Sequence, residues 1–419
     1  MPTPSESVAI TGLGAISPLG GDVGTTWSGL LDGRSAVRAL DDDWAAGLPV
    51  RIAARAAVEP AGMFSRVDAR RLDRSSQFAL IALREAWADA GFTGPAGTDG
   101  APPGDRVGVV VGSGLGGLST LLHNYDVLNS RGARNVSPFA LPMLMANSPA
   151  AQVSMAIGAQ AAVHAPTSAC AAGAEAVAAG LDLIRWGRAD VVVVGGAEAI
   201  INPLTIAGFA SMTALSCQND EPHRASRPFD KKRDGFVIAE GAAVLVLESM
   251  RHARARGARV YGELAGAGVS ADAHHIARQE PSGRSMTRAL RRALDDAGLR
   301  ASDVAHVNAH ATSTPGGDLV ESRAISSVFG PRATPVSAIK SMTGHLIGAS
   351  GALAAVSSVL TVHHRLAPPT INVEDPDDAV ELDVVRDVPR ALPAGPVAAV
   401  SNSSGFGGHN VVLAFRAAS

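Results

Sequence analysis

Short β-branched apolar runs alternate with Ala-rich stretches along this chain. The runs are SVAITGLG (7–14), RVGVVVGSG (106–114), DVVVVGGAEA (190–199), VYGELAGAG (260–268), VAHVNAH (304–310) and VAAVSNSSG (397–405). Continuous apolar strands of this kind, set between helices, predict an α/β fold whose sheet is covered on both faces. Helices are predicted over 72–90, 147–157, 171–186, 284–297 and 348–363. The segment DAGFTGPAGTDGAPPGD (89–105) reads as a Gly/Pro-rich surface loop.

The two halves of the chain echo one another. An apolar strand leads into TSACAAGAEAVAAG in the first, and VSAIKSMTGHLIGASGALAAV repeats strand, polar turn and small-residue helix in the second. DVVVVGGAEA likewise resembles VAAVSNSSGFGG, each a strand ending at glycines. A duplicated architecture follows, with a seam near residue 250, so that 1–250 and 251–419 form the two units. VLVLESMRHARARGARV (244–260) is read as the passage between them. Small residues on the helices would let two sheets and a shared central helix layer approach closely.

Composition narrows this picture. At 419 residues the chain can bury a large core. Aromatics are only 4% against 46% apolar, so Ala, Val, Leu and Gly do the packing, as in tight α/β layers. A net charge of −3 shows none of the basic bias of a nucleic-acid binder. Two cysteines make no disulfide framework and no CxxC pair, which points to a reducing, cytoplasmic setting. Met1–Glu6 lacks the basic and apolar regions of a signal peptide. The apolar run 346–362 is interrupted by Gly348, Ser350, Gly351, Ser357 and Ser358 and reads as a buried helix, not a membrane span.

Four stretches could carry chemistry. If Ala171 opens a helix, Cys170 sits where unpaired N–H groups and the helix dipole favour a thiolate, which would lower the thiol pKa. Its neighbours Ala169, Ala171, Ala172 and Gly173 would leave room for a substrate. An inert packing cysteine is the bland alternative. HVNAHATSTPGGD places His310 at a strand end, with Thr312, Ser313, Thr314 and Asp318 in the loop beyond. AIKSMTGHLIGASGA sets Lys340 and His345 on a turn feeding a helix, although Lys340 also reads as a solvated surface charge. SNSSGFGGHN is a Gly-rich turn around Phe406, suited to a side chain that swings. Together these supply a nucleophile and two donors for a developing negative charge. HExxH spacing for a metal is missing, GSGLGG (112–117) is no P-loop, and ITGLG lacks a full GxGxxG.

Several blocks in one order carry a resemblance. ITGLGAISPLG, SACAAGAEA, VVVVGGAEA, SRPFDKKRDGFVIAEGAAVLVLE, VNAHATSTPGGD, KSMTGHLIGASGA and GFGGHN are similar to the elongating β-ketoacyl-acyl carrier protein synthases, over nearly the whole chain. These are the ketosynthases of type I/II, which include the type II polyketide ketosynthases. The resemblance implies the thiolase fold, two duplicated halves in a five-layer α-β-α-β-α core, usually dimeric. It implies that Cys170 takes an acyl chain from the phosphopantetheine of acyl carrier protein, with no cofactor bound and no metal. His310 and His345 would hydrogen-bond the malonyl thioester carbonyl during decarboxylation, and Lys340 would support them. The N–H groups of Cys170 and Phe406 match an oxyanion hole, Phe406 a gate, and Thr312 and Thr314 a hold on the pantetheine arm. Arg66, Arg70, Arg71 and Arg74, joined by Arg134, would dock the acidic carrier protein.

Two positions depart from the family. Ala354 stands where a glutamate is common and Ser404 where fatty-acid enzymes usually carry a second phenylalanine. Both bear on gating and on the acyl pocket, and they tilt the reading towards a type II polyketide or other specialised pathway. Two rivals remain. A non-catalytic partner subunit like a chain-length factor would have lost the cysteine. A degradative thiolase would use coenzyme A and a second cysteine, but Cys217 in LSCQNDEP lies outside every matching block. The partner subunit itself is expected to be a second copy or a chain-length-factor paralogue.

Overall fold

A computed structural model describes residues 6–98 and 100–418. Met1–Ser5, most of the stretch scanned for a leader, and Asp99 of the Gly/Pro-rich loop lie outside the described residues. The main sheet comprises β1 (Val8–Ile16), β2 (Val107–Gly112), β3 (Ala162–His164), β4 (Val191–Glu198), β5 (Gly241–Ser249) and β6 (Gly262–Ala271). It continues through β7 (Val304–Asn308), β8 (Pro335–Ser337), β9 (Asp383–Val384), β10 (Ala398–Gly405) and β11 (His409–Ala417). Their spatial order is β9-β8-β7-β10-β11-β6-β1-β5-β4-β2-β3.

That order contains one pattern twice. From the middle outwards the first half runs β1-β5-β4-β2-β3 and the second β6-β11-β10-β7-β8. In each half the inner two pairings are antiparallel and the outer two parallel. The halves meet where β1 pairs antiparallel with β6, from Val8↔Leu264 to Ile10↔Gly262. An internal two-fold relation therefore maps each strand of one half onto a strand of the other.

The helices complete the layers. α1 (Arg74–Asp89) and α2 (Ser148–Ile157) cover the outer face of the first half, and α4 (Arg284–Ala297) and α5 (Pro315–Phe329) that of the second. α3 (Ala172–Arg185) and α6 (Ser350–His364) lie between the halves, touching each other and strands of both. Glycine makes that central layer possible. A Cβ on Gly173 would stand 2.8 Å from the Gly348 carbonyl oxygen, and one on Gly351 2.6 Å from the Ala174 nitrogen. The result is the five-layer thiolase-type core.

Three segments differ from the sequence expectation. The first part of the 244–260 passage is β5, buried along its whole length, and the chain crosses between halves only from Ser249 to Gly262. The loop expected after Thr314 is short, because Pro315 opens α5 and places Asp318 in its first turn. Of the small residues beside Cys170, Gly173 and Ala171 pack against the other half and Ala172 against Gly112 of its own, not around open space. The apolar run 346–362 does form a core helix. It is the one helix among the described residues long and apolar enough to cross a membrane, and nearly all of it is buried.

Candidate active site

Cys170 occupies the middle of a tight 3₁₀ turn, Ala169–Ala171, that feeds directly into α3. Ala169 takes φ +51°, a left-handed backbone that costs an L-residue on the order of 1–3 kcal/mol. That bend pushes the cysteine out beyond the helix end. Gly405 lets β10 approach, since a Cβ there would lie 3.1 Å from the Ala171 nitrogen. The N–H groups of Phe406 and of Cys170 itself both favour the thiolate. These are the two groups that the sequence reading assigned to an oxyanion hole.

The thiol is not acidified in this resting state. Burial pushes it up to about 12 and the Glu198 charge pushes the same way, against the pull of Lys340 and the two N–H groups. The lowered pKa expected from the helix N-terminus is thus reversed, because Cys170 is only 8% exposed. Cys217, by contrast, is exposed and free, with no active-site residue among its hydrogen-bond partners.

The histidines come from the second half. His310 lies two residues beyond β7, where Glu321 on α5 accepts the N–H groups of His310 and Ala311, both at 2.7 Å. His345 hangs from a turn whose N–H meets the Val237 carbonyl at 2.7 Å, and its Nδ1 lies 2.7 Å from the Ser350 hydroxyl. The two rings meet edge to face, 5.5 Å between centroids. Burial, followed by the Lys340 charge, holds both imidazoles well below their usual range, so both are neutral at pH 7. The Nε2 tautomer, with the Ser350 hydroxyl donating to Nδ1, is the one that would leave His345 a ring N–H to donate.

Lys340 opens a short helical turn, Lys340–Thr343, and is buried. Burial brings its ammonium down to about 8, against the attraction of Glu321, Cys170 and Asp318. It is therefore no surface charge. Ala354, where the family's glutamate is missing, packs in the core, and Glu321 and Asp318 supply the negative charge near Lys340. Asp318 accepts from the N–H groups of Phe229 and Ser313, and burial raises it to about 7.

One cavity of about 590 Å³ is lined by Cys170, His310, His345, Thr312, Thr314 and Phe406 together. The two threonine hydroxyls are 3.1 Å apart on its wall. Phe406 sits 6.3 Å from Phe209, which meets Phe236 at 5.3 Å, and Phe236 in turn faces His345. Gly407 and Gly408, at φ +88° and +82°, form the turn beside Phe406. Ser404 is buried and bonds Asn410 at 2.8 Å. A phenylalanine there would displace that contact.

The arginines lie apart from this cavity. Arg66, Arg70, Arg71 and Arg134 are exposed, and Arg71 stacks 5.1 Å over the Phe139 ring. Arg70 and Asn135 line a second hollow of about 490 Å³. Arg74 differs, for it is held by Glu240 at 2.7 and 3.0 Å and by Glu59 at 2.7 Å. Sequence reasoning missed Glu198 and Glu321, two buried carboxylates whose partners are mostly backbone amides, and Arg278 and Arg323 on the cavity wall.

A buried cysteine at a helix mouth, two buried histidines and a largely apolar cavity, set between duplicated α/β halves, fit a thioester-handling acyltransferase. The family model for the beta-ketoacyl synthase N-terminal domain matches residues 5–253, and that for the C-terminal domain residues 261–374. The chain is 42% identical to the 3-oxoacyl-[acyl-carrier-protein] synthase 2 of Synechocystis sp., covering 98% of each. It is also 42% identical to the Coxiella burnetii protein of the same name, covering 97% of each. Among solved structures it resembles a beta-ketoacyl synthase from Burkholderia phymatum (37% identity, TM-score 0.90, covering 99% of this chain and 100% of that one). A type II polyketide acyl-carrier protein in complex with its ketosynthase bound to the hexaketide is similar at 32% identity and TM-score 0.87, with the same coverage. The ishigamide ketosynthase/chain length factor matches at 32% identity and TM-score 0.89, again with that coverage. The chain belongs to the beta-ketoacyl synthase family and is a condensing acyltransferase.

Proposed function

We propose that the protein elongates acyl chains by decarboxylative condensation on acyl carrier protein, in a fatty acid or polyketide pathway. The convergence of Cys170, His310, His345 and Phe406 on one cavity is the observation that carries this reading. Cys170 sulfur attacks the carbonyl of an acyl thioester, and the carrier-protein thiol leaves with the proton. The N–H groups of Cys170 and Phe406 stabilise the tetrahedral oxyanion. Malonyl thioester then loses carbon dioxide, and the enolate oxygen is held by N–H donation from His310 and His345. The enolate carbon attacks the acyl-cysteine, forming the new carbon–carbon bond and releasing the Cys170 sulfur. A neutral histidine keeps one ring N–H with which to donate to that oxygen.

Thr312 and Thr314 line the path a pantetheine arm would follow, and no resident cofactor enters the chemistry. Arg66, Arg70, Arg71 and Arg134 form the proposed dock for an acidic carrier protein; Arg74, committed to Glu240 and Glu59, is left out of it. A dimer fits the free edge of β3, where Val163 is 45% exposed beside Met155 at 66%. Its partner is a second copy or a chain-length-factor paralogue, and the division into units near residue 250 belongs to the same reading. Two free cysteines suit a reducing cytoplasm. The test is reconstitution with acyl- and malonyl-carrier proteins, alone and with any paralogue. A product two carbons longer, carried as a β-ketoacyl thioester, supports the reading, and acyl hydrolysis without extension contradicts it.

A further inference from the structure

The internal two-fold relation maps the nucleophile's turn onto a turn that carries no nucleophile. Ala169–Ala171 precedes α3 as Ile347–Ala349 precedes α6. Ala169 has φ +51° and Ile347 φ +46°, so the same left-handed bend recurs. Gly348 thereby stands where Cys170 stands in the first half. Each half also has a buried glutamate that accepts two consecutive N–H groups just beyond the equivalent strand. Glu321 takes those of His310 and Ala311 after β7, and Glu198 takes those of Gly114 and Leu115, at 2.7 and 3.3 Å, after β2.

Glu198 does more than its counterpart. Its carboxylate also accepts the Gly348 N–H at 3.0 Å and the Ser113 hydroxyl at 3.0 Å. The Gly348 N–H is the dyad mate of the Cys170 N–H. A second nest is thus present at the junction of the halves, with Ser113, Gly114 and Leu115 donating from the first and Gly348 from the second, and the Glu198 side chain fills it. No Cβ fits beside it: one on Gly348 would lie 2.8 Å from Glu198 Oε2 and would run into the Gly114 nitrogen. Ile347, fixed by this nest, lines the reaction cavity together with Cys170 and His345.

We propose that Glu198 is the positioning residue of the catalytic junction, the resident carboxyl group of a nest that includes the dyad mate of the Cys170 turn. Its bonds fix the Ile347–Gly348 turn, just after His345, against the Gly114 turn of the first half. The assignment rests on the condensing reading for its effect on rate. Its electrostatic part does not, because the carboxylate opposes formation of the Cys170 thiolate.

Glu198→Gln keeps the shape, removes the charge and sets an amide donor against the N–H groups. We expect condensation kcat to fall at least tenfold with KM for acyl-carrier protein within about twofold. The pH midpoint for alkylation of Cys170 by iodoacetamide should move to lower pH in the same variant. Ser113→Ala, which deletes one neutral donor and keeps the charge, should lower kcat a few-fold and leave the alkylation midpoint in place. Wild-type kcat in Glu198→Gln overturns the proposal, as does a fall in kcat with an unmoved alkylation profile, which marks a merely structural residue. If Glu198→Gln does not fold, Ser113→Ala decides it: an unchanged kcat there counts against the nest. If the wild-type chain fails to condense, the reading of function falls while the alkylation profile still judges Glu198.

Discussion

The two helix-opening turns, one at Cys170 and one at Gly348, share a backbone and differ in what fills them. Both bend through a left-handed alanine or isoleucine, and both deliver a helix into the central layer. The first presents a sulfur and two N–H groups to a cavity. The second presents its N–H to Glu198 and is closed by packing against Gly114 and Gly173. Duplication thus supplied two turns with the same bend, of which one opens onto the cavity at Cys170 and the other is closed on Glu198 at Gly348. The cavity lies where the symmetry is broken, with His310 and His345 of the second half facing it beside Cys170 of the first.

The largest effect that could break this contrast comes from the sulfur. Cys170→Ala should remove acyl transfer and condensation altogether, read as loss of carrier-protein-bound product. Residual extension of the chain would mean the open turn is not the reactive one. His310→Ala and His345→Ala follow, each slowing malonyl decarboxylation by about 10²–10³, the scale for losing one donor to a developing oxyanion. Wild-type release of carbon dioxide in either variant would dismiss its role.

The braced turn answers to packing. Gly348→Ala adds a methyl where Gly114, Ser113 and Glu198 already touch, and should cost about 1–3 kcal/mol by overpacking. Thermal unfolding that is unchanged would mean the seal is looser than described. A pH profile sharpens the electrostatics. Lys340 is held down to about 8, so its ammonium is lost as pH rises through that value. Decarboxylation should decline on that alkaline side in the wild type, and the decline should vanish in Lys340→Met; a decline that persists assigns it to another group. The smallest effect is at the surface. Arg70→Ala with Arg71→Ala should raise KM for carrier protein about five- to tenfold at low salt and spare kcat, and an unchanged KM argues against the dock.

The residues that meet in the cavity were legible because each sits in a short block whose neighbours define a strand end or a helix start. Cys170, His310, His345 and Phe406 needed only that placement. The carboxylates were not, since Glu198 closes an apolar strand and its partners are backbone amides up to 150 residues away. Arg74 looked like its exposed neighbours because Glu240, which claims it, lies 166 residues further on. The thiol's state was misjudged for the same reason: local sequence shows the helix end, while burial comes from both halves closing over it. β5 escaped because VLVLES ran without a break into a basic helical segment.

Intact-protein mass after incubation with a defined acyl-carrier protein tests the central claim most directly. The account predicts one acyl adduct per chain in the wild type, mapped to Cys170, and none in Cys170→Ala. An unmodified wild type, or an adduct that survives in Cys170→Ala, would contradict it.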